Sequence, residues 1–185
     1  MKKRNLWPVK ITIAAFFISV VMAVITNGFI ADVNIFVALS VLLVVILMGI
    51  VFDLIGIAFT VADETPFHSR STKGYKGSRE AIKLIRSADK VSSFCNDVIG
   101  DIAGVLSGGL GAAIAASIYQ NFSFIPATII NMVITALVAS VTVGGKALGK
   151  GIAIGQSQNI VEKISVIIYY FTNITRIFTI RKKDR

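Results

Sequence analysis

The stretch Ser92–Tyr119, SSFCNDVIGDIAGVLSGGLGAAIAASIY, is long and apolar enough to cross a bilayer as a single helix. It also carries two carboxylates, Asp97 and Asp101, one helical turn apart. A ladder of small or polar residues accompanies them at intervals of four: Ser92, Asn96, Gly100, Gly104, Gly108, Ala112 and Ala116. That spacing predicts a shared helix face. In lipid, a face of small residues lets another helix approach closely. The glycines alone read as a packing seam, within one chain or between two. The aspartates read differently, because an ionisable group inside a span is costly and by default marks a functional position.

Composition points the same way. The chain has 185 residues, of which 55% are hydrophobic and only 16% charged, and its mean hydropathy is +0.78. An average soluble domain is less apolar and more charged. The sequence therefore predicts an all-α integral membrane protein. Its net charge of +9 does not indicate nucleic acid, because the basic residues flank apolar runs. They read as topology determinants and as contacts to anionic membrane lipid. One cysteine, Cys95, excludes an internal disulfide and a cysteine-cluster metal site. One histidine, His68, sits in a basic loop and supports no zinc or catalytic constellation.

Outward from the opening stretch, the chain divides into about four spans. Residues 1–34 form an N-terminal segment in which Lys2, Lys3 and Arg4 precede an apolar run from Ile11 to Ala31. This is either a cleaved signal peptide or a retained signal anchor, and its length favours the anchor. Trp7 falls at the interface, and Asp32 with Val33 and Asn34 makes a polar turn. A second span covers about Ile35 to Ala62, with Gly49, Asp53, Gly56, Thr60 and Asp63 on one stripe. Residues 63–91 are a basic loop. Within it, Ala81, Leu84, Ile85 and Ala88 form one face of a helix, and Arg79, Lys83, Arg86 and Lys90 form another. Ser92–Tyr119 is the third span. The fourth, from about Ala127 to Lys146, carries the stripe Thr128, Asn131, Thr135, Ala139, Thr142 and Lys146, expected to face the other helices. Residues 156–181 then predict an amphipathic belt helix in the interface, ending in Arg181, Lys182, Lys183 and Arg185.

With both termini cytosolic, every Lys/Arg-rich segment lies inside and neither outer loop contains Lys or Arg. A multi-pass protein of the cell membrane follows. Asp53 then lies roughly 12 Å from the inner end of its span, and Asp97 and Asp101 about 8 and 13 Å from theirs. Three carboxylates on two helices thus share the inner half of the membrane, an arrangement expected of a cation cavity open to the cytosol. Oxygen ligands suit hard cations such as Mg²⁺, which keep several waters and need only one or two carboxylates.

The order of elements resembles the transmembrane domain of the CNNM/CorB/CorC magnesium-transporter family. GSREAIKLIRSADKVSSFCNDVIGDIAG is similar to that family's loop helix and the Asn-containing span after it. GKALGKGIAIGQSQNIVEKI is similar to its Gly-Glu-x-x-Pro-Lys segment and belt helix. The likeness covers roughly Phe52 to Phe171, so that residues 35–185 correspond to the family's membrane domain. It implies a homodimer with a cation site in a cytosol-facing cavity. Asp53 falls near a polar residue of the family's first span, and Asn96 falls on its Asn. Asp97 and Asp101 match no fixed position. Lys146 stands where the family has an acidic residue, and Gly149 where it has proline. The resemblance implies a short form without CBS domains.

Asp53, Asn96, Asp97 and Asp101 are therefore the candidate metal residues, with Mg²⁺ as the ion. The expected function is divalent-cation transport. The alternative is a non-transporting scaffold or accessory subunit in which the Lys146 ammonium occupies the ion site as a tethered cation. An enzyme is not expected, since the sequence has no phosphate-binding loop, no Ser/His/Asp set and no Cys–His pair.

Overall fold

The computed structural model describes residues 7–30, 34–121 and 124–181, and all the regular structure within them is helical. The basic residues Lys2, Lys3 and Arg4, the turn residues Asp32 and Val33, and the terminal Lys182, Lys183 and Arg185 lie outside the described residues. The helices are α1 (Trp7–Ile30), α2 (Ile35–Val61), α3 (Thr65–Thr72), α4 (Ser78–Ile85), α5 (Ala88–Ser93), a π-helix (Phe94–Gly100), α6 (Asp101–Asn121), α7 (Ala127–Gly155) and α8 (Ser157–Arg181).

Three helical stretches are long and apolar enough to cross a membrane: Ile35–Val61, Ala88–Gln120 and Ala127–Gly155. The middle one joins α5, the π-helix and α6. The sequence predicts a further span at the N-terminus. There α1 is helical over 24 residues.

The chain forms two compact units, Met1–Asp53 with Phe94–Gly149, and Leu54–Ser93 with Lys150–Arg185. Helices α2 and α7 contribute residues to both.

In the first unit, α2 buries Ala38, Leu42 and Ile46 against Leu110 and Ile114 of α6 and Val138 of α7. A second cluster, Val98, Ile102 and Leu106, packs with Ile11 and Ala15 of α1 and with Val45. Three glycines permit this closeness. A Cβ added at Gly49 would stand 3.0 Å from the Ala103 Cβ, and one at Gly111 would stand 3.2 Å from Val138 Cγ2. A Cβ at Gly145 would overlap Ile50 Cδ1.

The glycine ladder behaves differently from a single seam. Gly100 is buried, but Gly104 and Gly108 are exposed and face open space within the chain. Helical geometry explains this. Each step of four residues turns about 400°, overshooting a full turn by about 40°. Six such steps sweep through about 240°, so the ladder winds off one face onto another. The π-helix at its start displaces it further. The α7 stripe also departs from expectation. Thr128, Asn131, Thr135 and Ala139 are exposed, while Ile130 and Val138 are buried and Ile134 partly so. Over residues 130–138 the packed face is one residue out of phase, about 100° around the helix, whereas Thr142 and Lys146 of the same stripe are partly buried.

The second unit is built on α8. Its core contains Ala58, Phe59, Phe67, Ala81, Ala153 and Val161, and α4 packs against both α3 and α8. The amphipathic reading matches α4, which buries Ala81 and exposes Arg79 and Lys83, but that helix ends at Ile85, and Ala88 and Lys90 fall on α5. Helix α3 is additional to the sequence reading. Pro66 lies in its first turn, where proline's missing N–H costs no helical bond. Just ahead, the Asp63 carboxylate accepts hydrogen bonds from the Thr65 N–H and hydroxyl at 3.0 and 2.9 Å. These bonds hold the Asp63 carboxyl below its ordinary pKa, the backbone N–H contributing most. Arg86 binds the Glu64 carboxylate at 2.9 Å, and Arg70 pairs with Glu162.

Candidate ion site: Asp53, Lys146 and the π-helix

Asp53 continues the packed face of α2. Ala38, Leu42, Ile46, Gly49 and Asp53 follow one another at intervals of three or four residues, the spacing that keeps one helix side inward. The Asp53 side chain is consequently only 17% exposed. On α7, Thr142, Gly145, Lys146 and Gly149 are partly or fully buried. This phase carries Lys146 towards α2.

The two side chains meet. Lys146 Nζ lies 3.6 Å from Asp53 Oδ1, with the lysine 31% exposed. At that separation the pair is an electrostatic contact rather than a direct hydrogen bond. The third wall is the π-helix. A Cβ added at Gly100 would stand 3.6 Å from Lys146 Nζ and 3.5 Å from the Cys95 carbonyl oxygen. Glycine thus leaves the ammonium beside the backbone of the last π-helical residue.

The π-helix itself places the other candidates. It buries Cys95 and Val98, leaves Asn96 half-buried and exposes Asp97. Asp101, which begins α6, is also exposed. The sequence places three carboxylates at similar depth. The structure couples Asp53 to Lys146 and sets Asp97 and Asp101 on an open surface of their helix. No group of three or more His, Cys, Asp or Glu placed to hold one ion occurs among the described residues. Backbone carbonyl and side-chain amide oxygens are also ligands that hard cations accept.

The sequence offers Asp53, Asp97 and Asp101 as partners for Lys146, and the structure pairs it with Asp53. The π-helix was not legible. Its sequence, FCNDVIG, contains no proline, and its one glycine is the final residue. Such segments are rare and occur frequently at functional positions.

A comparison of the chain with known proteins finds no matching family model, curated protein or solved structure.

Proposed function

We infer that this chain is a membrane scaffold or accessory subunit that keeps a cation-transporter fold, with Lys146 occupying the ion position. The observation that carries this reading is the 3.6 Å approach of Lys146 Nζ to Asp53 Oδ1. An ammonium there supplies the positive charge that a bound cation would supply. It is covalently held, so no ion need be captured from solution. Pairing also offsets part of the cost of placing Asp53 in a span. The resemblance to the CNNM/CorB/CorC membrane domain adds the expectation of a homodimer, and the distribution of Lys and Arg adds that of a multi-pass protein of the cell membrane with both termini cytosolic. Membrane lipid is its other partner.

A second reading is divalent-cation transport, with Mg²⁺ as the ion. The exposure of Asp97 and Asp101 on a helix able to cross a membrane favours it. Lipid is a poor neighbour for a carboxylate, so the exposed Asp101 calls for water, a cation or a second subunit. In this reading Asp53 and Asn96 complete the oxygen set.

Mg²⁺ flux into proteoliposomes separates the two. The scaffold reading expects no flux from the wild type and flux from Lys146→Glu, which restores an acidic group at the site. Wild-type flux that disappears in Asp97→Asn/Asp101→Asn overturns the scaffold reading in favour of transport.

A further inference from the structure

The second unit carries a surface that the ion site does not use. It begins at the turn Lys73–Gly77, where Gly74 and Gly77 adopt φ of +77° and +80°. The turn is fastened to α8 backbone to backbone, because a Cβ at Gly77 would come within 2.8 Å of the Val166 nitrogen. Its position on α8 is therefore fixed. From there Lys76 extends along the helix. Its ammonium donates to the Tyr170 hydroxyl at 3.4 Å and stands 5.5 Å from the ring centroid.

Helix α8 presents two sides. One side buries Val161 and Ser165 in the unit. The other exposes Lys163, Ile167 and Tyr170 at intervals of four and three, with Phe171 beside them. Ile167, Tyr170 and Phe171 are 52%, 49% and 69% exposed, and Tyr75 in the turn is 61% exposed. Charge is sorted across the same unit. Arg70 and Arg86 have carboxylate partners, whereas Lys73, Lys76 and Lys163 have none among the described residues.

We propose that Lys76 and Tyr170, flanked by Lys73 and Lys163, form a headgroup site for an anionic phospholipid. The apolar side chains Ile167 and Phe171 enter the acyl boundary. The tyrosine ring stands at headgroup level, where its hydroxyl stays wet. The ammonium, already turned to the same place by the ring, meets the lipid phosphate. Lysines extend in this way at membrane interfaces, and anionic headgroups attract each one. A bilayer fits better than a soluble partner because α2 and α7, both long enough to cross a membrane, continue directly into this unit. The site includes neither Asp53 nor Lys146, so it stands or falls separately from the ion-site reading.

The test uses the full chain in a neutral detergent, incubated with equal amounts of phosphatidylglycerol and phosphatidylcholine, washed, and assayed for retained lipid. The wild type retains phosphatidylglycerol several-fold over phosphatidylcholine. Lys76→Ala/Tyr170→Ala lowers that retention about fivefold or more, Lys76→Arg preserves it, and Lys83→Ala, on α4 outside the stripe, leaves it unchanged. If the double variant is poorly folded, Lys76→Gln alone gives the same loss. Equal retention of both lipids overturns the proposal, as does undiminished retention in folded Lys76→Gln. Displacement of the lipid by millimolar inorganic phosphate assigns the site to soluble anions instead. Retention of an acidic protein in place of lipid assigns it to a protein partner. Either of these outcomes also overturns the proposal.

Discussion

Lys146 and Asp53 are each the other's only carboxylate or ammonium neighbour within ion-pairing distance among the described residues, at 3.6 Å. Each makes the other's placement tolerable, so the two should be energetically coupled. Removing one partner from a fully buried pair costs about 3–5 kcal/mol. With Lys146 31% exposed, solvent screening lowers the expectation to about 1–3 kcal/mol. Asp53→Asn and Lys146→Gln should each destabilise the chain in detergent by that amount. The double variant should be less destabilised than the sum of the singles. Thermal unfolding of all four proteins reads the coupling, and strict additivity would count against the pair.

The glycines divide into those that touch something and those that do not. Gly111 sits against Val138, while Gly104 faces open space. Gly111→Leu should therefore destabilise the fold by about 1–3 kcal/mol, the usual cost of overpacking. Gly104→Leu should leave the melting temperature of the monomer unchanged. If the chain self-associates through this face, Gly104→Leu should shift it towards monomer in size-exclusion chromatography with light scattering. A Gly104→Leu protein that unfolds as readily as Gly111→Leu would show that the open face is packed after all.

What was legible in the sequence was whatever composition alone determines. Ile35–Val61 and Ala127–Gly155 are helical and apolar over a length that can cross a bilayer core. A tethered ammonium at Lys146 was legible as one alternative, but which of Asp53, Asp97 and Asp101 it meets was not; the structure places it by Asp53. Rotation about a helix axis was not legible either. Thr128, Asn131 and Thr135 form a stripe by sequence, yet the packed residues are Ile130, Ile134 and Val138, one position away. Polarity did not mark the inward side, because the small polar groups of Thr128, Asn131 and Thr135 stay exposed while bulky aliphatic residues pack. Packing shape then decides between the two sides. The π-helix changes phase again between Ser93 and Asp101, and none of its residue types announces it.

Protonation gives a third expectation, outside the spans. The Arg86 guanidinium bound to Glu64 holds that carboxyl below its ordinary value of 4.5. A carboxyl whose pKa is lowered by folding stabilises the folded state above its unfolded pKa and loses that contribution as pH falls through the folded value. Stability of the second unit should thus be level above about pH 5 and decline below about pH 4.5. Glu64→Gln should remove part of that decline. Arg86 is exposed and Glu64 partly so, and the change is therefore small and weakens further with salt. Melting temperatures from pH 3 to 7 at low and high salt measure it, and an identical pH profile in Glu64→Gln would exclude the pair as its source.

Two glycines in one turn separate backbone strain from crowding. Gly74 and Gly77 both have left-handed φ, +77° and +80°. Any L-residue pays about 1–2 kcal/mol for that conformation. At Gly74 there is nothing within 4 Å of an added Cβ, so Gly74→Ala should cost only the strain. At Gly77 the Cβ would meet the backbone of Ser165 and Val166 at 2.8–2.9 Å. A helix backbone cannot rotate away as a side chain can, so the turn must lift off α8. Gly77→Ala should therefore lose at least about 3 kcal/mol, as for other severe backbone or core disruptions. It should also carry Lys76 away from Tyr170, so that hydrogen exchange accelerates in the turn and along α8 from about Val161 to Tyr170. Gly74→Ala should leave that exchange pattern intact. Equal destabilisation by the two variants would mean that the turn is not clamped to α8 and that left-handed strain alone accounts for both glycines.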